Sequence, residues 1–428
     1  MKFLRLLGWF FGCLDCSTIR QVITRTISVF GLVLLAGLAA AQSPKAEEES
    51  LAAALKADEP QVVRDQIRFC EIPAPPFGEA RRAQAVKAAF EQVGLSNVRL
   101  DRVGNVLGER TGVAGKPHIV AAAHLDTVFP EGTDVRVSRA GTRLKGAGIG
   151  DDCRGLAVLV GIARALARQH VQLRGSITFV ADVGEEGLGD LRGMRELFGV
   201  TLKGQVDQFV SIDGAGLFLT TAGVGSHRYR VTFTGPGGHS YAAFGTPNPI
   251  QAMGRVIARI GQIQVPSQPK TTFSVGRVSG GTSVNAIPAE CWMEVDLRSV
   301  SRTELDALTA KFEDAIDAGV REENVRWSSA QRVTVKKELV GDRPGGRTPD
   351  DSSIIQTARR LARTLGLSIP ENESSTDANV PMQLRIPAVT IGAGGNGSGQ
   401  HTVGETFDTT GSWQGTQYAG LLVTALAR

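Results

Sequence analysis

Short apolar runs alternate with a segment of helical periodicity in this chain, and this alternation constrains the fold more than any other feature. Residues 118–123 and 176–181 are apolar runs of strand length, and residues 155–167 between them have helical apolar spacing. The pattern returns near the end of the chain, with a helix predicted over 350–365 and a strand over 388–391. Such alternation predicts an α/β fold whose central sheet is mostly parallel and flanked by helices.

The pattern of apolar and polar residues changes between residues 226 and 334. This stretch contains runs of alternating character at 229–234 and 291–298, typical of strands, and two segments with helical spacing at 249–263 and 302–318. Because 428 residues exceed the roughly 250–300 that one hydrophobic core sustains, two domains are expected. We predict a catalytic domain in two parts, 55–225 and 335–428, interrupted by a smaller α+β domain over 226–334.

The first 41 residues have the properties of an export signal. Four basic residues and one acidic residue, namely Lys2, Arg5, Arg20, Arg25 and Asp15, precede an apolar run over 27–41. The run ends in Ala39-Ala40-Ala41, which resembles a signal-peptidase site, so we predict removal of residues 1–41 and an exported protein. The alternative is an uncleaved membrane anchor, but the run is shorter than the ~20 residues that span a bilayer. The polar residues 42–54 are predicted to form a flexible terminus.

Charge and cysteine content exclude two further classes of protein. The leader carries +3 of the formal net charge of +4, so the remaining chain has +1 and shows no sign of binding nucleic acid. Three cysteines, Cys70, Cys153 and Cys291, remain after the leader is removed. An odd and scattered set does not indicate a disulfide framework, and free buried thiols are expected.

Polar residues stand at the end of the apolar runs. His124 closes the first run, and strand alternation places Asp126 on the same face two residues later. A histidine with a nearby carboxylate suits a metal ligand whose second ring nitrogen is held by that carboxylate. Taken alone, a structural histidine fits this position equally well.

Further candidate metal ligands also follow apolar runs or glycine-rich segments. A glycine-rich turn over 146–150 leads into the adjacent Asp151 and Asp152, of which helix capping explains only one. The remaining donors are the pair Glu185 and Glu186 after the second run, Asp213 after an apolar run at 210–212, and His401 after a glycine-rich loop. In open α/β sheets such groups gather at the carboxyl ends of strands. Nitrogen and oxygen donors without thiolate suit a pair of divalent ions, roughly 3.5–4 Å apart, that share a carboxylate and a water.

With these motifs the sequence resembles the co-catalytic dizinc peptidase family of peptidase T, glutamate carboxypeptidase, aminoacylase and succinyl-diaminopimelate desuccinylase, from about residue 55 onward. The motif style is most similar to the peptidase T branch. The resemblance implies two zinc ions, with cobalt or manganese as alternatives. It implies the following roles: His124 and Asp213 on one ion, Glu186 and His401 on the other, Asp151 bridging, Glu185 as general base and Asp126 orienting His124. It also implies a cis peptide between Asp151 and Asp152.

The resemblance extends to the segment over 226–334, through the motifs at 235–240, 281–288 and 296–298. It implies a lid and dimerisation domain and therefore a homodimer. His239 would help to stabilise the oxyanion, while Asn285 and Arg298 would grip the substrate. The guanidinium of Arg298 suits a carboxylate because its planar fork donates two hydrogen bonds. A surface ion pair is the alternative for Arg298.

The function predicted from these features is zinc-dependent hydrolysis of an amide bond in a small peptide by an exopeptidase. Two alternatives remain open from the sequence. The first is a deacylase for N-acyl amino acids, which uses the same chemistry. The second is a binding protein of the same fold without catalysis, although the ligands and the base are all present in the sequence.

Overall fold

The structure is a computed structural model that describes residues 44–428. The predicted export signal lies outside these residues. Residues 50–428 form one compact unit, and residues 44–49 begin the first helix. Within the described part of the chain, no helix is both long and apolar enough to cross a membrane.

The helices alternate with strands over most of the chain. Helices α1 to α10, in chain order, are Pro44–Ala57, Glu59–Cys70, Ala80–Gln92, Cys153–Arg168, Arg192–Glu196, Pro249–Ile260, Arg302–Arg326, Ser353–Thr364, Asn379–Gln383 and Trp413–Leu426. Strands β1 to β10 are Ser96–Leu100, Val106–Arg110, Gly115–His124, Ser138–Ala140, Arg143–Lys145, Gly175–Asp182, Gln208–Ile212, Leu219–Gly223, Gly225–Thr234 and Gly238–His239. Strands β11 to β19 are Thr271–Gly280, Ala286–Ile287, Glu290–Ser299, Thr334–Arg343, Gly346–Arg347, Glu371–Ser374, Ala388–Ile391, Asn396–Ser398 and Thr406–Asp408.

The central sheet is mixed, with a parallel middle and antiparallel edges. Its strand order is β1-β2-β6-β3-β7-β17-β8-β15, and β16 pairs with β8. The four strands β6, β3, β7 and β17 are parallel to one another. Strands β1, β2 and β15 pair antiparallel. The predicted α/β class with a flanked central sheet is confirmed, and its parallel strands are those that position the site.

Both faces of this sheet are covered, which explains the continuous apolar runs in its central strands. Alternate residues of β3 enter different apolar clusters: Ala121 and Ala123 pack with α1 to α4, α8 and α10, whereas Val120 and Ala122 pack with α5 and α9. Helix α4, which is buried from Cys153 to Leu166, runs across the first face. The helix begins directly after Asp151 and Asp152, so these two residues are attached to a helix that is buried in the core.

Residues 225–343 build a second sheet with its own apolar cluster. Strands β11, β13, β9 and β14 pair antiparallel in that order, and helices α6 and α7 cover one face. Helix α7 continues to Arg326, beyond the predicted end at residue 318. Gly319 does not stop it, because this glycine lies against α6, where a Cβ would come within 2.6 Å of Val256. The domain boundaries given above stay predictions.

One prediction for the start of the mature chain differs from the structure. Residues 42–54 were expected to be a flexible terminus, yet α1 begins at Pro44. The segment is rich in Ala, Glu, Lys and Leu, which all favour helix, and a proline is tolerated in the first turn. Leu51 and Leu55 are buried in the main core, so tertiary packing stabilises this helix. Because the segment is acidic overall, these two buried leucines were not recognised from the sequence.

The predicted free thiols are present. Cys70, Cys153 and Cys291 are all buried and unpaired as disulfides.

Candidate active site

The carboxyl edge of the central sheet collects four of the predicted site residues. His124 is the last residue of β3, Glu185 and Glu186 follow β6, and Asp213 follows β7. Strands β6, β3 and β7 are parallel neighbours, so their carboxyl ends lie side by side. Residues far apart in sequence therefore meet at one place, as the sequence predicted.

A buried carboxylate holds the glycine-rich turn that carries Asp151. Glu405, which is 2% exposed, accepts backbone N–H groups from Gly148 at 2.8 Å, Gly150 at 2.9 Å and Asp151 at 3.2 Å. Burial raises the pKa of Glu405 to about 7, although these hydrogen bonds favour the charged form. Glu405 fixes the turn, and sequence reasoning missed it because it stands in a polar loop without a recognisable motif.

Asp151 and Asp152 have different environments. Asp152 Oδ1 accepts the backbone N–H of Gly155 at 3.0 Å, which caps α4, and that of Gly214 at 3.2 Å, while Oδ2 accepts the N–H of His124 at 3.1 Å. The peptide bond between Asp151 and Asp152 is cis. Helix capping thus explains Asp152, and its oxygens are already occupied. The side-chain oxygens of Asp151 are therefore the ones that contact the histidines.

The two oxygens of Asp151 face two different histidines. Oδ1 lies 3.0 Å from Nε2 of His124, and Oδ2 lies 3.0 Å from Nε2 of His401. Asp213 Oδ1 is 3.8 Å from His124 Nε2, and Glu186 Oε1 is 3.2 Å from His401 Nε2. All five predicted ligands are therefore grouped around the Asp151 carboxylate, each histidine with one further carboxylate beside it.

The donors are close enough to hold metal. The candidate ligand atoms of His124, Asp151 and Glu186 lie within 4.8 Å of one another, and those of His124, Asp152 and Asp213 form a second such group. Since backbone N–H groups occupy the oxygens of Asp152, we assign Asp151 as the shared carboxylate for both groups. The residues present fit a pair of divalent cations.

The pKa values of the site carboxylates are shifted because several of them lie close together in a buried site. Burial raises the pKa of Glu185 to about 8, because Arg343 compensates only in part, and burial also raises that of Glu186. Burial would raise the pKa of Asp151 as well, yet hydrogen bonds from His124 and His401 lower it. Several buried carboxylates this close repel one another unless cations lie between them. The electrostatics thus favour a cation site.

His401 provides a measurable consequence of this arrangement. Hydrogen bonds to Asp151 and Glu186 raise its pKa to about 10 when only protein groups surround it. A metal ligand must be deprotonated, so zinc binding near pH 7 to chelator-treated protein is expected to release this proton, and apparent affinity is expected to rise with pH up to about 10. Calorimetry in buffers of different ionisation enthalpy measures the release. His401→Ala is expected to release about one proton fewer; binding heats that do not depend on the buffer would contradict the expectation.

Asp126 contacts both His124 and the paired glutamates. His124 Nδ1 lies 3.0 Å from the backbone oxygen of Asp126 and 3.7 Å from its Oδ1. The Asp126 carboxylate accepts the backbone N–H of Glu185 at 3.0 Å and of Glu186 at 2.9 Å. The Asp126 backbone oxygen therefore accepts the hydrogen bond that orients His124. The Asp126 side chain instead fixes the turn that carries Glu185 and Glu186. Sequence alternation could not distinguish these contacts.

An arginine that the sequence did not single out is paired with Glu185. Arg343, at the end of β14 and 4% exposed, donates from Nη1 to Glu185 Oε1 at 2.9 Å and from Nη2 to the Glu185 backbone oxygen. It also donates to Ser375 Oγ at 3.2 Å. Arg343 holds the Glu185 side chain in one orientation. No local motif marks it, because the contact spans 158 residues.

The three predicted lid residues are not all at this site. Arg298 lines the cavity above the donors, together with Arg228 and Arg343. His239 and Asn285 are both exposed; His239 ends β10, Asn285 immediately precedes β12, and the Ser240 N–H donates to the Asn285 backbone oxygen at 2.9 Å. Neither lines the cavity in the described part of one chain. Their predicted roles require a lid movement or a second copy.

The cavity itself has a volume of about 380 Å³ and mostly polar walls. Asp151, Glu185, Glu186, Asp213 and His401 form its floor. The size suits a small amide substrate, and the arginine side chains favour an anionic one.

Comparisons with known proteins agree with this fold. A family model described as peptidase family M28 matches residues 105–227, and one described as peptidase dimerisation domain matches residues 221–324. A putative succinyl-diaminopimelate desuccinylase of Mycobacterium tuberculosis is 26% identical over 76% of this chain and 87% of its own. A tripeptidase structure from Staphylococcus aureus covers 86% of this chain and 98% of its own, with 20% identity and a TM-score of 0.71. A dinuclear metal-binding peptidase structure from Bacillus subtilis covers 87% and 99%, with 19% identity and a TM-score of 0.62.

The fold, the site and these matches define a hydrolase of the metallopeptidase class. More particularly, residues 221–324 match a peptidase dimerisation domain, and the proteins to which the chain is similar are peptidases and a putative desuccinylase.

Proposed function

We propose that the protein is a dizinc exopeptidase that hydrolyses an amide bond in a small peptide. The observation that carries the proposal is the Asp151 carboxylate, whose two oxygens lie 3.0 Å from Nε2 of His124 and of His401. One further carboxylate accompanies each histidine, Asp213 beside His124 and Glu186 beside His401, and Glu185 lines the same cavity. Nitrogen and oxygen donors of this kind suit zinc, with cobalt and manganese as other candidates.

The residues of the chain support a proton-transfer mechanism. Divalent ions held by His124, Asp151, Glu186, Asp213 and His401 would supply Lewis acidity, which would lower the pKa of a water and polarise the scissile carbonyl. Glu185 accepts the proton of the attacking water and later delivers it to the leaving amine. Arg343 keeps the Glu185 carboxylate oriented, and Arg298 binds a carboxylate of the substrate at the cavity wall.

A second candidate function is deacylation of an N-acyl amino acid. A relative is named a putative desuccinylase, and the same residues can hydrolyse either amide. The two candidates share the metal site and the base and differ only in the acyl side of the substrate.

A substrate panel tests both candidates. Metal-free protein is loaded with zinc, cobalt or manganese and incubated with di- and tripeptides and with N-acetyl and N-succinyl amino acids, and products are identified by mass. We expect hydrolysis that a chelator abolishes and metal restores. Cleavage of peptides alone supports the exopeptidase, cleavage of acyl amino acids alone supports the deacylase, and no hydrolysis with any metal contradicts the proposal.

We further propose a homodimer in which the domain over 226–334 brings His239 to the partner's site. His239→Ala is then expected to lose activity and retain zinc. Mixing it with Glu185→Gln tests the contribution across subunits, because a mixed dimer holds one site with both groups intact. Random exchange of subunits would restore about a quarter of wild-type activity. A mixture that stays inactive after verified exchange contradicts action in trans.

Export is proposed from the leader alone. When the full chain is expressed in a secreting bacterial host, we expect the mature protein to begin at Gln42, and N-terminal sequencing measures this. A protein that retains residues 1–41 would support the anchor instead.

A further inference from the structure

A second cavity adjoins the metal cavity. Its volume is about 400 Å³, and its lining shares Arg298, Ser374 and Ser375 with the metal cavity. These three residues therefore stand between the two spaces. A substrate group that passes Arg298 enters the second cavity.

Lys270 lines this second cavity from the turn that immediately precedes β11. Thr272, two residues later, also lines the cavity and is the cross-strand neighbour of Arg298. The two cations, Arg298 and Lys270, therefore both face this one cavity.

Among the described residues that line this cavity, Lys270 is a cation without a carboxylate partner. Arg298 donates from Nε to Asp296 Oδ2 at 2.5 Å, and neither of its Nη atoms donates to another residue in the described range. Glu373, the carboxylate that lines the second cavity, is ion-paired with Arg347. The Lys270 ammonium is exposed and has no ion pair or hydrogen bond among residues 44–428. The second cavity therefore presents an uncompensated positive charge.

We propose that the second cavity is a subsite for a second anionic group of the substrate, bound by Lys270 while Arg298 holds the first. The substrate class is then an amide of an acidic amino acid, with the α-carboxylate at Arg298 and the side-chain carboxylate at Lys270. This inference rests on the proposed function, since it places the leaving amine beside Arg298. It adds a selectivity that the metal site itself does not provide.

Isosteric substrates test the subsite. Ala-Glu and Ala-Gln differ by one charge, as do N-acetyl-Glu and N-acetyl-Gln. With zinc-loaded protein we expect KM to be lower for the glutamate compounds. Lys270→Ala is expected to raise that KM about threefold, as befits an exposed ion pair, with kcat and the glutamine compounds unchanged. Lys270→Glu is expected to raise it about tenfold, and the preference is expected to weaken as salt screens the charge.

Lys203→Ala is the matched control, because Lys203 is also an exposed lysine and lines neither cavity. It is expected to behave like the wild type. Both Lys270 variants are expected to keep the wild-type melting temperature, since the residue is exposed.

Direct binding separates this inference from the proposed reaction. Calorimetry with L-glutamate and L-glutamine on zinc-loaded wild type and Lys270→Glu reports on the subsite without catalysis. A glutamate preference that Lys270→Glu abolishes supports the subsite even if no amide is hydrolysed. Hydrolysis with the same glutamate-to-glutamine ratio in wild type and Lys270→Glu overturns the subsite and leaves the reaction intact. Absence of both hydrolysis and a Lys270-dependent preference overturns both.

Discussion

Glu185→Gln is expected to lower kcat by about 10²–10⁴-fold while zinc content stays at the wild-type level. The amide cannot accept the proton of the attacking water, whereas the metal ligands around Asp151 are unchanged. Glutamine is preferable to alanine because Arg343 is 4% exposed and donates to Glu185. Glutamine keeps a side-chain oxygen that can accept from Arg343, whereas alanine would remove this acceptor and leave the buried guanidinium only its contacts with Ser375 and the Glu185 backbone oxygen. Steady-state kinetics and elemental analysis on the same preparation measure the two quantities.

A matched control is Glu131→Gln, since Glu131 is exposed and lies outside the cavity. It is expected to retain full kcat. If Glu185→Gln turned over like the wild type, Glu185 would not be the base. If it lost zinc instead, its role would be that of a ligand.

His401→Ala is expected to lower zinc affinity by at least about 100-fold and to lower activity in proportion at limiting zinc. Removing a residue that only hydrogen-bonds to a ligand already weakens metal binding by about 10–100-fold. Removing the ligand itself is expected to weaken it more. The fold is expected to survive, because the His401 side chain is 53% exposed. Competition with a chromophoric chelator measures the affinity.

His170→Ala provides the histidine control. His170 is exposed, has a positive φ of 49° like His401 with 63°, and lies outside the cavity. It is expected to bind zinc like the wild type. Equal zinc affinity in His401→Ala and His170→Ala would exclude His401 from the ligand set.

The sequence predicted the parts of the site that strand ends determine. His124, Glu186 and Asp213 follow buried strands, and the topology of a parallel sheet brings such residues to one edge. His401 follows β18 of a small separate sheet and was recognised only by the glycine-rich loop before it, while its pairing with Glu186 on one ion came from the family resemblance. For Asp151, the glycine-rich turn was recognisable, and its neighbour Asp152 proved to be the helix cap.

The residues that the sequence did not predict act over long separations and within irregular structure. Glu405 holds the Asp151 turn from 254 residues away, and Arg343 reaches Glu185 from the end of an edge strand. The Asp126 carboxylate binds backbone N–H groups and not the histidine ring. Periodicity describes which face of an element is buried, but it contains no information on which side chain meets which loop. Such contacts follow only from the assembled fold.

The loop between β18 and β19 supplies both His401 and the segment that ends in Glu405. One of these residues completes the donor set, and the other shapes the turn on which the shared aspartate stands. A change in the conformation of this one loop would therefore displace a candidate ligand and disturb the backbone of the shared carboxylate at the same time.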